Sequence, residues 1–290
     1  MQTMAADQRN LKVSVIFTTY NSPQWLQKVL WGFFEQTWRD FEIIVADDGS
    51  SDDTRKLIDS MRVESPVPIV HVWQEDDGFQ KCRILNKAIV AATGDYLIFT
   101  DGDCIPRADF IEQHARHARP DRFLSGGYYK LPMAISRLIS RDDVRMQRVF
   151  DVGWLRKHGM RPSEKDLKLL AKKGWASFFN TVSPARASWN GHNASCFKKH
   201  ILAVNGFEER MQYGGQDREF GDRLVHLGIR GKRIRYSAIC VHLDHKRGYV
   251  TEEMLANSMR IRQETARTKA VRALKGIDQY IGSGPDSQAA

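Results

Sequence analysis

From Val13 to Asp101 the chain alternates short β-branched runs with segments whose apolar residues recur at helical spacing, and this alternation restricts the fold more than any other feature. Val13 to Thr18 reads as a strand and ends in the polar turn Thr19-Tyr20-Asn21. Ser22 and Pro23 then form a helix start, with Leu26, Val29, Leu30, Phe33 and Phe34 on one face. Phe41 to Ala46 is a second strand, and Asp47-Asp48-Gly49-Ser50-Ser51-Asp52 turns into a helix carrying Leu57, Ile58 and Met61. A third strand spans Ile69 to Trp73. Leu85, Ala88, Ile89 and Ala92 mark a helix closed by Gly94, and Tyr96 to Phe99 is a fourth strand. The order β-α-β-α-β-α-β predicts a Rossmann-like, mostly parallel α/β sheet with helices on both faces. Its polar motifs follow strands one, two and four, at the carboxyl ends where such sheets bind ligands.

Beyond Pro106 the pattern is less regular. Phe110 to Ala118 predicts a helix, and Phe123 to Tyr129 a strand interrupted by Gly126-Gly127. The stretch 132–188 is rich in basic and aromatic residues without strand alternation, which predicts a helical insertion. Gly191 to Phe197 and Ile234 to His242 read as strands, with a helix between them carrying Phe220, Leu224 and Leu227. Thr251 to Ile281 predicts a basic C-terminal helix, and Gly282 to Ala290 has the composition of a disordered end.

At 290 residues, with 42% hydrophobic and 27% charged content, the chain is long enough for one large domain or two smaller ones with a substantial core. No apolar run approaches the ~20 residues that cross a bilayer. Met1 to Lys12 has no apolar signal-type core. Cys82, Cys104, Cys196 and Cys240 are dispersed, which argues against a zinc knuckle or disulfide framework and suits a reducing cytoplasm. The net charge of +9 fits nucleic acid, an anionic membrane or a phosphorylated small molecule. No helix-turn-helix, zinc-finger or ribonucleoprotein motif is present, so nucleic acid is the weakest of these readings.

Asp101-Gly102-Asp103 places two carboxylates at the end of the fourth strand, separated by a residue without a side chain. The pair suits a hard divalent cation that carries phosphate. Asp and Gly also make ordinary solvated turns.

The order of motifs resembles family 2 glycosyltransferases. Thr18-Thr19-Tyr20-Asn21, Asp47-Asp48-Gly49-Ser50, Asp77-Gly78-Phe79 through Arg83 and Asn86, and Asp101-Gly102-Asp103 are similar to the family's nucleotide-sugar half. Gly206-Phe207-Glu208, Gly214-Gly215-Gln216-Asp217 and the pair His242 and His245 resemble a galactosyltransferase-type C-terminal region. The resemblance covers roughly residues 12–130 and 190–247. It implies a single glycosyltransferase A-type catalytic domain over 1–250, with a donor half at 12–105, an acceptor half at 106–250 and a basic tail at 251–290.

The resemblance further implies a metal-dependent, inverting transfer from a nucleotide-sugar, with a UDP-sugar expected. Thr18, Thr19, Tyr20, Asn21 and either Asp47 or Asp48 would line the nucleoside pocket, where a carboxylate can accept from a base N–H. Asp48 has the alternative role of capping the next helix. Arg83, favoured over Lys81, would face the diphosphate. Asp101, Gly102 and Asp103 would hold Mn²⁺ or Mg²⁺ and the donor, with His242 and His245 as further metal ligands; imidazole favours Mn²⁺. Asp217 would be the base that takes the acceptor proton. The family's acid pair reads Gln216-Asp217 here, a departure that removes one charge. Glu219 and Asp222 are reserve carboxylates expected to face solvent. Trp189, His192, Asn193, Tyr213 and Gln216 would shape the acceptor pocket. The expected acceptor is a glycan or lipid-linked hydroxyl of bacterial surface polysaccharide or lipopolysaccharide. Arg137, Arg141, Arg145, Arg148, Arg260, Arg262 and Arg267 offer contact with an anionic inner-leaflet surface. The competing readings are a non-catalytic sugar-binding relative and a basic nucleic-acid-binding protein.

Overall fold

The computed structural model describes residues 11–171, 173–245 and 250–281. The expected disordered end, 282–290, lies outside the described residues. Four parallel strands begin the chain: β1 (Val13–Thr19), β2 (Phe41–Asp47), β3 (Ile69–Trp73) and β4 (Tyr96–Asp101). Between them run helices α1 (Pro23–Phe34), α2 (Asp52–Glu64) and α3 (Lys81–Ala91). β1, β2 and β4 are buried on both faces, hence their near-continuous apolar sequence, while β3 at the sheet edge is only partly buried.

The second half adds β5 (Cys104–Pro106), α4 (Phe110–His117), β6 (Arg122–Ser125) and β7 (Gly127–Lys130). Five helices follow at 133–182: α5 (Met133–Leu138), α6 (Arg141–Arg145), α7 (Val152–Lys157), α8 (Leu167–Leu170) and α9 (Lys173–Val182). The chain then returns through β8 (Ala194–Phe197), α10 (Lys198–Ala203), α11 (Gln216–His226), β9 (Arg230–Arg233), β10 (Ile239–His242) and α12 (Glu252–Thr268). Seven strands form the main sheet in the order β3-β2-β1-β4-β8-β6-β9, with β8 antiparallel to β4 and β6. Three make a smaller sheet, β5-β10-β7. This is the α/β architecture read from the sequence.

One expected strand is divided between the two sheets and another is shortened. The run 123–129 breaks at Gly126 into β6 and β7, because a Cβ at Gly126 would lie 1.8 Å from the Asn193 side chain and one at Gly127 would lie 2.1 Å from the Arg235 carbonyl. The region expected as one strand from Ile234 to His242 instead begins after β9 and contains only β10 as a strand. β10 then pairs with β5 and β7 in the small sheet.

The core has two layers. One, under α1 and α4, contains Phe17, Phe33 and Phe110; the other, under α3 and α11, contains Phe99, Trp189, Phe207 and Phe220. The C-terminal segment closes the second layer: Ile261 and Ile277 are buried in it. Glu219 corrects the expectation of a solvent-facing reserve acid. It is buried, and both oxygens meet the buried Arg223, Oε1 at 2.8 Å from Nε and Oε2 at 2.9 Å from Nη2. Thr265 of α12 adds a 2.9 Å bond to Oε1. A fully used buried ion pair has a structural role, since removing either partner strands a charge.

Candidate active site

The loops after β1 and β2 lock together. Asn21 takes a left-handed conformation (φ 44°), its amide donates to Ser50 Oγ at 2.8 Å, and its Oδ1 accepts from the Ser51 amide at 2.9 Å. Asp47 is buried, with Oδ1 accepting from the Ser50 amide and Oδ2 2.8 Å from His71 Nε2. Asp48 accepts from Gln74 Nε2 at 2.7 Å and from the Gln80 amide at 3.0 Å. Burial outweighs those bonds and pushes its carboxyl up to about 6. Each oxygen of both expected base-binding acids therefore already accepts one bond. Tyr20 is half exposed and donates to Asp76 Oδ2 at 2.9 Å, while Thr19 Oγ1 is buried without a hydrogen-bond partner among the described residues. Asp76, which sequence reasoning passed over, is thus tied to this rim. No spacing rule connects it to Tyr20, 56 positions away.

Lys81 is the cation at the end of β4. Its Nζ lies 2.6 Å from Asp101 Oδ1, which also accepts from Thr18 Oγ1 at 3.3 Å. Burial opposes ionisation of Asp101, but the Lys81 charge prevails and holds the carboxyl down to about 2. Lys81 is raised in turn, against its own burial, by Asp101, Asp217 and Asp103. Arg83, the residue favoured from sequence, lies elsewhere: its guanidinium is 4.0 Å from Asp77 and 43% exposed. Gly102 is required between the acids, because its amide donates to the Thr18 carbonyl and a Cβ would come 2.7 Å from that oxygen.

The smaller sheet brings the histidines to Asp103. Register in β5-β10 pairs His242 with Cys104, and the Leu243 amide donates to the Asp103 carbonyl at 2.9 Å. Asp103 Oδ2 consequently lies 3.7 Å from His242 Nε2 and 3.1 Å from His245 Nε2. His242 Nδ1 is 2.8 Å from the Leu243 carbonyl, to which it donates, and this bond turns Nε2 toward Asp103. Ligating atoms of Asp103, His242 and His245 all fall within 4.8 Å of one another. One carboxylate and two imidazoles in that space fit a divalent transition ion.

Asp217 stands in the first turn of α11, after Gly214 and Gly215, both at positive φ. Its Oδ1 is buried without a hydrogen-bond partner among the described residues. Burial raises the carboxyl above its usual range and Asp101 adds to this, while Lys81 and the Gly191 amide oppose it. A Cβ at Gly191 would sit 2.8 Å from Oδ1, so a side chain there would displace the carboxylate; nothing in its local sequence distinguishes this glycine from a turn glycine.

Asp217 opens into a cleft of about 450 Å³, also lined by Tyr128, His192, Lys168, Arg218 and Arg235. His192 packs edge-on to Tyr128, with ring centres 4.4 Å apart, and burial pushes its imidazole down to about 4. Other expected acceptor residues take structural places. Asn193 is buried and donates to the carbonyls of Gly127 and Ala238. Trp189 reaches the cleft wall but is only 1% exposed, wedged against Phe99, Phe123 and Phe220. Tyr213 packs on Phe79 at 5.7 Å, and Gln216 is buried at the start of α11. Asp222 pairs with Arg262 at 3.2 Å.

Comparison with known proteins matches both halves of this arrangement. The sequence model of Glycosyl transferase family 2 matches residues 14–158, and that of the N-terminal domain of galactosyltransferase matches 178–246. The chain is 26% identical over 264 residues to the uncharacterized glycosyltransferase YfnE of Bacillus subtilis (strain 168), covering 81% of this chain and 65% of that protein. It is 27% identical over 241 residues to the chondroitin synthase of Escherichia coli, covering 74% of this chain and 32% of that protein. The chain thus spans less than two thirds of the length of either relative. Among solved structures, the mannosyltransferase PcManGT from Pyrobaculum calidifontis, in complex with GDP-Man and Mn²⁺, superposes with a TM-score of 0.57 at 22% identity, covering 92% of this chain and 66% of that one. GalNAc-T7 with UDP, GalNAc and Mn²⁺ gives a TM-score of 0.58 at 13% identity, covering 91% and 48%. These two likenesses are of fold.

Proposed function

The chain belongs to glycosyltransferase family 2, and we propose that it is a metal-dependent, inverting enzyme that moves a sugar from a UDP-sugar to a hydroxyl of a glycan or lipid-linked acceptor. The observation that carries this reading is the meeting, at the carboxyl ends of the strands, of a three-ligand set (Asp103, His242, His245) and a buried carboxylate oxygen, Asp217 Oδ1, that has no hydrogen-bond partner among the described residues. Asp103 and the two histidines, with Asp101 beside them, would hold a divalent ion, which would supply Lewis-acid stabilisation to the departing nucleotide diphosphate. Asp217 takes the proton of the acceptor hydroxyl as that oxygen forms the new bond to the anomeric carbon. The old bond to the diphosphate breaks with its electron pair leaving on the nucleotide. Lys81 keeps Asp101 ionised and places a positive charge near both acids. The rim of Thr18, Thr19, Tyr20, Asn21, Asp47 and Asp48 receives the nucleoside, with Asp48 the nearer of the two acids to solvent.

A panel of UDP- and GDP-sugars tests this directly. Release of UDP from at least one UDP-sugar is expected with Mn²⁺, with loss on chelation and weaker restoration by Mg²⁺. UDP that binds equally well in EDTA would count against the metal role, and metal-dependent UDP binding without turnover of any sugar would favour the non-catalytic reading.

The same proposal includes synthesis of bacterial surface polysaccharide or lipopolysaccharide at an anionic inner-leaflet surface. No helix among the described residues is long and apolar enough to cross a membrane. The basic residues first considered for surface contact are largely matched by acids: Arg141 by Glu64, Arg145 by Asp142, Arg148 by Asp143, Arg260 by Glu264 and Arg262 by Asp222. Support comes instead from 161–187, where six basic residues face two acidic ones in the sequence. Leu167, Leu170, Trp175, Phe178 and Val182 are exposed within it. Basic residues with exposed aromatics suit an interfacial helix. Trp175→Ser combined with Phe178→Ser should release the protein from phosphatidylglycerol vesicles in co-sedimentation; unchanged pelleting would remove this segment from the proposal.

A further inference from the structure

The acceptor side of the cleft carries a charge that the transfer reaction as described does not use. Lys168, Arg218 and Arg235 all line it, together with Asp217. Arg235 Nε is buried and has no hydrogen-bond partner among the described residues. A buried guanidinium donor without an acceptor loses its hydration for no return. Burial lowers Arg235, and Arg233 and Arg218 add to the effect; burial likewise lowers Lys168, with Arg235 and Lys165 adding to it. The cations therefore repel one another across a water-accessible space. Among the described residues that line that wall, Asp217 is the only carboxylate, and Lys81 already acts on it.

We propose that this wall is an anion clamp, in which Arg235, Lys168 and Arg218 hold a carboxylate, sulfate or phosphate group carried by the acceptor sugar. The inference rests on reading Asp217 as the base of a glycosyl transfer. Any sugar oxygen could accept from Arg235 Nε, but only an anionic one also relieves the repulsion among the three cations. The guanidinium can present two parallel N–H groups to such a ligand, which orients the sugar as well as attracting it. Lys168 Nζ donates to the Tyr128 carbonyl at 3.0 Å and lies 5.3 Å from the centre of the Tyr128 ring. That ring also contacts His192 and His242, so the clamp adjoins the donor site. The donor diphosphate is the other source of anionic oxygen at this place, and the experiment must separate the two.

The measurement is calorimetric titration of protein already saturated with UDP and Mn²⁺, using methyl β-glucuronoside, sulfate and the neutral methyl β-glucoside as probes. Glucuronoside and sulfate are expected to bind, with the neutral glucoside at least about tenfold weaker. Arg235→Gln should weaken the two anions by about tenfold, the scale of one charge-assisted hydrogen bond. Arg235→Lys should keep part of the affinity, and both variants should bind UDP with Mn²⁺ like the parent, which reports that they are folded. Equal binding of glucoside and glucuronoside would overturn the proposal, as would parent-like anion binding by Arg235→Gln or no anion binding to the UDP-loaded protein. Anion binding that occurs only without UDP would assign these cations to the donor. Failure of UDP and Mn²⁺ to bind at all would instead strike at the transferase reading itself.

Discussion

Asp217→Asn is expected to reduce transfer by about a hundredfold to ten-thousandfold, the usual contribution of a positioned general base. The amide preserves the shape of the carboxylate but cannot take the acceptor proton. Binding of UDP with Mn²⁺ should stay near the parent value, because the base acts only as the acceptor attacks. The loss should therefore fall on kcat with donor affinity unchanged. The pH profile gives an independent reading. Burial raises the Asp217 carboxyl, so its basic form should be lost, and transfer should fall, at a pH above the ordinary carboxylate range as the medium is acidified. The same shift has a sign for folding. A raised acid favours its protonated form in the folded state, so ionised Asp217 is a cost above its unfolded pKa, and Asp217→Asn should not lower the unfolding midpoint at neutral pH. A variant that transfers sugar at the parent rate would remove Asp217 from the chemistry and turn attention to a group outside the α11 start.

Asp103→Ala should abolish the metal dependence of nucleotide binding and reduce transfer by at least about a thousandfold, since a metal Lewis acid contributes several kcal/mol at a departing phosphate. Asp103 is the residue common to both clusters that could hold an ion, the one with His242 and His245 and the one with Asp101 and Cys104. Its removal leaves the two imidazoles without their carboxylate. Asp101→Asn should act differently, because Asp101 is bonded to Lys81 at 2.6 Å and its loss also leaves a buried cation unmatched. The two variants are separated by titrating Mn²⁺ against bound UDP: Asp103→Ala should show no manganese-dependent step. A step of parent size in Asp103→Ala would place the ion elsewhere.

The donor side was readable because each of its motifs sits within a few residues of a strand end. Short β-rich runs and helical spacing set β1 to β4 and their helices, and parallel pairing then carries Thr18, Asp47 and Asp101 to one edge of the sheet. The acceptor side depended on residues far apart in the chain. Asn193 and Trp189 have the side chains of a sugar pocket, yet the first is spent on backbone carbonyls and the second fills the core. Lys81 and Arg83 are two positions apart on one helix, and only the direction of each side chain gives Asp101 to the lysine. Arg235 was not singled out at all, because a lone arginine between strands has no pattern to mark it.

By itself the sequence determined the alternating α/β order, the polar turns at strand ends and the spacing of Asp101 and Asp103, because these follow from local periodicity and from residue types within one turn. Only the tertiary structure decided which polar atoms remain available. Register between β5 and β10 delivers His242 to Asp103 across more than a hundred residues, burial commits Glu219 to Arg223, and packing leaves Asp217 Oδ1 and Arg235 Nε without hydrogen-bond partners among the described residues. Whether a side chain binds or supports is set by who else reaches it, and that depends on contacts distant in the chain.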